Sequence, residues 1–282
     1  MAPVQPQLHF PSPYLLPTAA LTRALCVAMP DGAQIATFVY GAQDPAATTP
    51  VLLLHGNGEE HGIFGQVIDA AVRAGHTVVA PDSRGQGKST RGTAPLTYEL
   101  MAEDALRVLD ALGVTRAHVL GFSDGGIEAL LMARDHGNRV ATLVAEGANL
   151  TPEGVLDEDG GLLDARRALD AWADYWEGSD APGAVDVALL TPTPEEARHT
   201  SELLRLMEVE PHIEAASLGR ITCPTTVLVG EFDMIDPAQT RAICDSIPGA
   251  VLEIVPGCGH TLPKEAPDAV AGCLLRTIAR CA

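Results

Sequence analysis

Short apolar runs recur along the chain at intervals that fit a sheet covered by helices on both faces. They are Val51 to Leu54, Thr77 to Ala80, Ala117 to Gly121, Val140 to Ala145, Thr225 to Val229 and Val251 to Val255. Runs that read as continuously apolar, rather than alternating with polar residues, mark strands buried on both faces, as in a parallel sheet. Helix-like stretches at about 63 to 74, 99 to 112 and 125 to 135 lie between the first four runs, which predicts repeated right-handed βαβ crossovers. Upstream, two β-like runs from Arg23 to Tyr40 flank the turn cluster Pro30-Asp31-Gly32 and predict an antiparallel hairpin. The expected fold is α/β, doubly wound, with a mostly parallel sheet.

One interval breaks this rhythm. From Ala145 to Thr225 the chain is far longer than a single crossover needs, and it contains helix-like stretches at about 162 to 177 and 195 to 209. The pattern predicts a small helical cap, residues 151–212, inserted between strand 6 and strand 7 of a core built from 21–150 and 213–282. Residues 1–20 are rich in proline, lack periodicity and are expected to form a tail or a surface-packed extension.

Composition narrows the function classes. The chain has 282 residues, enough for one large core, and its 46% hydrophobic and 20% charged content is ordinary for a globular protein. Its formal net charge of -19 repels nucleic-acid phosphates and anionic lipid, so a small molecule is the expected partner rather than nucleic acid or membrane. The six cysteines show no C-x-x-C pairing and the N-terminus has no signal-peptide pattern, which leads to the expectation of a cytoplasmic protein. The oligomeric state has no signature in the sequence.

The strongest chemical signal is Gly121-Phe122-Ser123-Asp124-Gly125, a G-x-S-x-G between a strand-like run and a helix-like one. Its glycines permit a tight turn that presents a serine hydroxyl at the end of a sheet. A serine hydroxyl becomes nucleophilic only when a base removes its proton, so a histidine and an orienting carboxylate are required. His260, in Gly257-Cys258-Gly259-His260 after the last strand-like run, is the candidate base. Asp233 is the candidate acid, with Asp236 and Glu146 as competing carboxylates near strand ends. The loop His55-Gly56-Asn57-Gly58 follows another strand, and the backbone N–H groups of Asn57 and Asp124 are the candidate oxyanion donors. Gly56, Trp172 and Trp176 are candidate substrate contacts, and the two tryptophans, four apart, equally fit an anchor for the cap. No metal-binding spacing, dinucleotide fingerprint or P-loop is present, so no metal and no cofactor are expected.

Taken in order, HGNG at 55–58, the segment from Asp82 to Ser89, GFSDG at 121–125, GEFD at 230–233 and GCGH at 257–260 resemble the α/β-hydrolase superfamily over about residues 23–280. The resemblance implies a serine hydrolase that cleaves a carboxylic ester, lactone or thioester through an acyl-enzyme, with water as second substrate. The alternatives it covers are C–C bond hydrolases and cofactor-free perhydrolases on the same triad and, behind these, non-catalytic binding relatives on the same fold. GFSDGG with Glu146-Gly147-Ala148-Asn149 is similar to the biphenyl hydrolase-like (valacyclovir hydrolase-like) branch, which implies esters of amino acids. There the Asp124 carboxylate would face a substrate ammonium, or else cap the helix after the turn.

Overall fold

The computed structural model describes residues 15–157, 160–177 and 193–281. The first fourteen residues of the expected tail and the connection between the two expected cap helices lie outside the described residues. Eight strands form one sheet: β1 (Leu21–Ala28), β2 (Gln34–Tyr40), β3 (Val51–Leu54), β4 (Val78–Pro81), β5 (Ala117–Phe122), β6 (Val140–Glu146), β7 (Thr225–Gly230) and β8 (Val251–Val255). Their spatial order is β1-β2-β4-β3-β5-β6-β7-β8. The β1–β2 hairpin is antiparallel and joins β4 antiparallel, while β4, β3 and β5 to β8 run parallel to one another.

The helices are α1 (Gly65–Arg73), α2 (Tyr98–Ala111), α3 (Asp124–Asp135), α4 (Gly161–Trp176), α5 (Pro194–Val209), α6 (Pro237–Ser246), α7 (Leu262–Glu265) and α8 (Pro267–Ala279). Helices α2, α3 and α6 build one core with one face of the sheet, and α1 and α8 build a second core with the other. This division explains the unbroken apolar runs. Leu52 and Leu54 of β3 enter the first core while Val51 and Leu53 enter the second, so no position of that strand faces water.

The long interval between β6 and β7 carries α4 and α5, as its helical pattern predicts. Thr193 caps α5 reciprocally with Glu196, and Pro194 occupies the first turn, where its missing N–H costs nothing. The two helices bury a small cluster of their own, with Leu169, Trp172, Ala173 and Ala197 at its centre. Leu206 of α5 reaches the first core, and Arg91 clamps Glu202 through two bonds of 2.7 Å each. The backbone N–H groups of Thr18 and Ala19 both donate to Asp69 of α1, so this part of the tail packs along the surface. No helix among the described residues is long and apolar enough to cross a membrane.

The connection after β4 is held by a buried cation. Arg84, 1% exposed, meets Asp104 of α2 through a two-pronged contact of 2.8 Å at each bond and Asp31 of the β1–β2 turn at 2.6 Å. A guanidinium in this setting satisfies the buried Asp104 carboxylate, whereas Asp31 also accepts from the amides of Ala33, Thr93 and Ala94. The prediction is that Arg84→Met destabilises the fold by about 3–5 kcal/mol, since it leaves the buried Asp104 carboxylate without its partner. Thermal unfolding followed by circular dichroism checks this; an unchanged Tm would show that Asp104 finds water instead.

Candidate active site

β5 ends in a turn that the glycines of Gly121-Phe122-Ser123-Asp124-Gly125 allow. Ser123 has φ 54°, the sole positive φ outside glycine among the described residues. Such a conformation costs about 1–3 kcal/mol and persists only where the surroundings over-determine it. Here they do. A Cβ on Gly121 would collide with the carbonyl of Gly125, and one on Gly125 with the carbonyl of Leu54 at the end of β3. The backbone N–H of Ser123 donates to the carbonyl of Glu146 at 2.8 Å, and that of Gly125 to the carbonyl of His55 at 3.1 Å. The serine therefore stands at the centre of the sheet's carboxyl edge, directly before α3.

The loops after β7 and β8 bring two further residues to it. His260 Nε2 lies 3.0 Å from Ser123 Oγ, and its Nδ1 donates to Asp233 Oδ1 at 2.7 Å. Asp233 is 2% exposed in its side chain, and its Oδ1 also accepts from the backbone N–H of Ile235 at 2.9 Å. The His260 loop is braced by Glu265, which accepts from the amides of Gly259 at 2.6 Å and Thr261 at 3.0 Å, on either side of the imidazole. Gly147, at φ 57°, leaves room for the ring: a Cβ there would lie 2.9 Å from His260 Cε1.

The competing carboxylates have other places. Asp236 caps α6 by accepting from the amide of Ala238 at 2.8 Å. Glu146 is fully buried at the end of β6, and burial together with the nearby Asp233 carboxylate pushes its carboxyl well above the ordinary range.

Among the described residues nothing accepts from the backbone N–H of Asn57 or Asp124. Asp124 opens α3, so its amide has no partner within the helix. Its side chain neither caps α3 nor faces open solvent: Oδ1 accepts from the Tyr98 hydroxyl at 2.8 Å and Oδ2 from Asn57 Nδ2 at 2.9 Å. The expectation of a helix cap is thus corrected. Burial raises the Asp124 carboxyl to about 6, against the lowering effect of those two bonds.

His55 and His61, both near this edge, are occupied. His55 Nδ1 donates to the carbonyl of Gly56 and Nε2 accepts from the amide of Ser83, each at 2.8 Å, and burial lowers its pKa. His61 donates to Asp82 Oδ1 at 2.7 Å, while the other oxygen of Asp82 accepts from the amide of Lys88 at 2.8 Å. The donor atoms of Glu60, His61 and Asp82 lie within 4.8 Å of one another, but these hydrogen bonds already use His61 and Asp82.

A narrow pocket opens over the serine. Its floor is polar, formed by Ser123, His260, Asp124, Tyr98 and Asn149, and its walls are Val155, Met207, Met234 and Ile235. Among the described residues no lysine or arginine lines it. Gly56 lies against the turn, where a Cβ would meet that of Ser123 at 3.0 Å. Trp172 and Trp176 pack within the α4–α5 cluster, with ring centroids 5.9 Å apart, and do not line the pocket. Met207 of α5, Val155 and Tyr98 do line it, and no local pattern marks them, because each arrives through long-range packing.

The model of the α/β hydrolase fold matches residues 49–207, more than half of the chain. The chain belongs to the α/β-hydrolase fold family. Among its relatives is a protein of Variovorax paradoxus (strain S110) named as a carbamate hydrolase, RutD, 30% identical over 239 residues that span 78% of this chain and 88% of the relative. Another is the rhodomycin D methylesterase DauP of Streptomyces sp. (strain C5), 27% identical over 284 residues, covering 86% of this chain and 94% of the relative. A hydrolase structure from Pseudomonas aeruginosa PA01 superposes with a TM-score of 0.70 at 26% identity, over 91% of this α/β-hydrolase chain and 98% of the other.

The buried acid at position 146 yields a signed expectation. In the unfolded chain Glu146 ionises near pH 4.3, whereas the folded protein holds it protonated to higher pH. Its contribution to stability is therefore fully present below that pH and is lost as pH rises, by about 1.4 kcal/mol for each pH unit between the two pKa values. Glu146→Gln should match the wild-type Tm at pH 4 and exceed it at pH 8. A Tm difference that is the same at both pH values would mean the folded protein ionises Glu146.

Proposed function

We propose that this chain is a serine hydrolase that cleaves a carboxylic ester, or a related acyl bond, through an acyl-enzyme. The observation that carries the reading is the relay Asp233, His260, Ser123, with contacts of 2.7 and 3.0 Å, beneath a pocket and beside two backbone N–H groups that have no acceptor among the described residues.

In this reading His260 Nε2 takes the Ser123 proton as Oγ attacks the carbonyl carbon. Asp233 holds the imidazole in the tautomer with its proton on Nδ1 and stabilises the imidazolium that forms. The carbonyl oxygen becomes an oxyanion that accepts from the amides of Asn57 and Asp124, and the N-terminal end of α3 favours that charge. Collapse expels the alcohol with the proton from His260. Water, deprotonated by the same imidazole, then attacks the acyl-enzyme and releases the acid. Every step uses groups of this chain and water, so the reading needs neither metal nor cofactor.

The methylesterase named among the relatives supports an ester substrate. A carbamate is a second substrate class, supported by the relative named as a carbamate hydrolase and by the acceptors Asp124 and Asn149 on the pocket floor, which suit an N–H-bearing acyl group. No cation lines the pocket among the described residues, which disfavours anionic substrates. The net charge of -19 argues against nucleic acid as a partner, and the six free thiols suit a reducing, cytoplasmic setting.

The deciding experiment is hydrolysis of p-nitrophenyl esters from acetate to octanoate, an α-amino acyl ester included, by wild type and Ser123→Ala. The variant should lose at least about 10⁴-fold in kcat, and the narrow pocket should favour short acyl groups. Equal rates for the two proteins would overturn the serine mechanism.

A further inference from the structure

The two amides assigned above to the oxyanion belong to loops at the ends of adjacent parallel strands, β3 and β5. Their residues are 67 positions apart in sequence, yet their side chains bond directly, Asn57 Nδ2 to Asp124 Oδ2 at 2.9 Å. The second hydrogen of the same amide group goes to the carbonyl of Leu203 in α5 at 3.0 Å. Resting on the serine-hydrolase reading, we propose that the Asn57 side chain is a positioning element: it sets the spacing of the two oxyanion donors and makes that spacing depend on the seating of α5.

The loop needs such a tie. Asn57 stands between Gly56 and Gly58, the latter at φ 72°, so its own peptide planes are held by flexible neighbours. On one side the loop is fixed by the bond of Gly125 N–H to the His55 carbonyl at 3.1 Å, and on the other by that of Gly58 N–H to Gln86 Oε1 at 2.6 Å. Neither bond reaches the Asn57 amide itself. Asp124 offers a firm anchor, because the Tyr98 hydroxyl from α2 holds its other oxygen. Glu202, the neighbour of Leu203, is clamped by Arg91, so α5 presents its carbonyl from a fixed place. A primary amide with two donor hydrogens spans these acceptors; an aspartate of the same shape, with no donor, would face a carboxylate and a carbonyl.

The test compares Asn57→Ala, Asn57→Asp, Asp124→Ala, Asp124→Asn and the double alanine variant on the best p-nitrophenyl ester. It is paired with inhibition by a trifluoromethyl ketone, whose serine adduct carries the oxyanion, and by the carboxylic acid product. Loss of the tie should lower kcat by about 100-fold in Asn57→Ala and Asn57→Asp, the order of one missing oxyanion donor. KM and product affinity should move less than about threefold, and trifluoromethyl ketone affinity should fall by the same factor as kcat. The double variant should be no worse than the worse single variant, as expected for one shared interaction. Asp124→Asn keeps an acceptor for Asn57 and should recover most of what Asp124→Ala loses. The inference is overturned if Asn57→Asp keeps kcat, if kcat falls without the ketone losing affinity, or if the single effects multiply. Labelling by a fluorophosphonate separates the two levels: wild type that is not labelled at Ser123 removes the serine-hydrolase reading, whereas labelled protein with an indifferent Asn57 removes this one alone. Should Asn57→Ala not fold, the Asn57→Asp and Asp124→Asn pair decides the matter.

Discussion

The chain must leave β5, turn through a left-handed conformation at Ser123 and enter α3 within a single residue, and much of the molecule exists to make that turn affordable. Its strain is opposed by hydrogen bonds to the backbones of Glu146 and His55, which belong to the ends of the two strands flanking β5. Those ends are in register only because β3, β5 and β6 are parallel and buried on both faces, so the two apolar cores indirectly hold the hydroxyl in place. Positions 121 and 125 tolerate no side chain for the same reason: the backbones that oppose the strain are already in contact with them.

Around this turn the protein tolerates several buried acids. Glu146 lies behind Asp233, Asp124 and Glu128 occupy the first two turns of α3, and Asp104 faces Arg84. They are handled differently. Asp104 keeps a cation, Asp124 takes neutral donors from Tyr98 and Asn57, and burial pushes Glu128 and Glu146 well above the ordinary carboxyl range. Burial thus favours the neutral form of Glu128 and Glu146 and keeps fixed negative charge low behind the Ser123 turn.

How much of this was legible in the sequence follows from the range of each constraint. The strands and helices were, because two-sided burial writes a continuous apolar run and amphipathic helices write their own period. The turn at Ser123 was, since its glycine requirement is steric and local. The convergence of Asp233 and His260 could be anticipated from their places after strand ends, and Gly230-Glu231-Phe232-Asp233 put Asp233 ahead of Asp236 and Glu146. The partners of Asp124 were not legible, because Tyr98 and Asn57 reach it from 26 and 67 positions away. The pocket walls were hidden for the same reason, and the tryptophan pair, conspicuous in the sequence, packs within the α4–α5 cluster as an anchor of the cap would.

That self-contained packing has an evolutionary consequence. Since the α4–α5 unit carries its own small apolar centre, and Leu206, Glu202 and Leu203 are among the described residues that tie α5 to the rest of the molecule, substitutions inside that centre act on the strands through those ties. Exchanging a wall such as Met207 changes what the pocket accepts, whereas a change that shifts Leu203 reaches the Ser123 turn through Asn57 and Asp124. Evolution is therefore free to vary the unit in its interior and constrained where it touches the sheet edge.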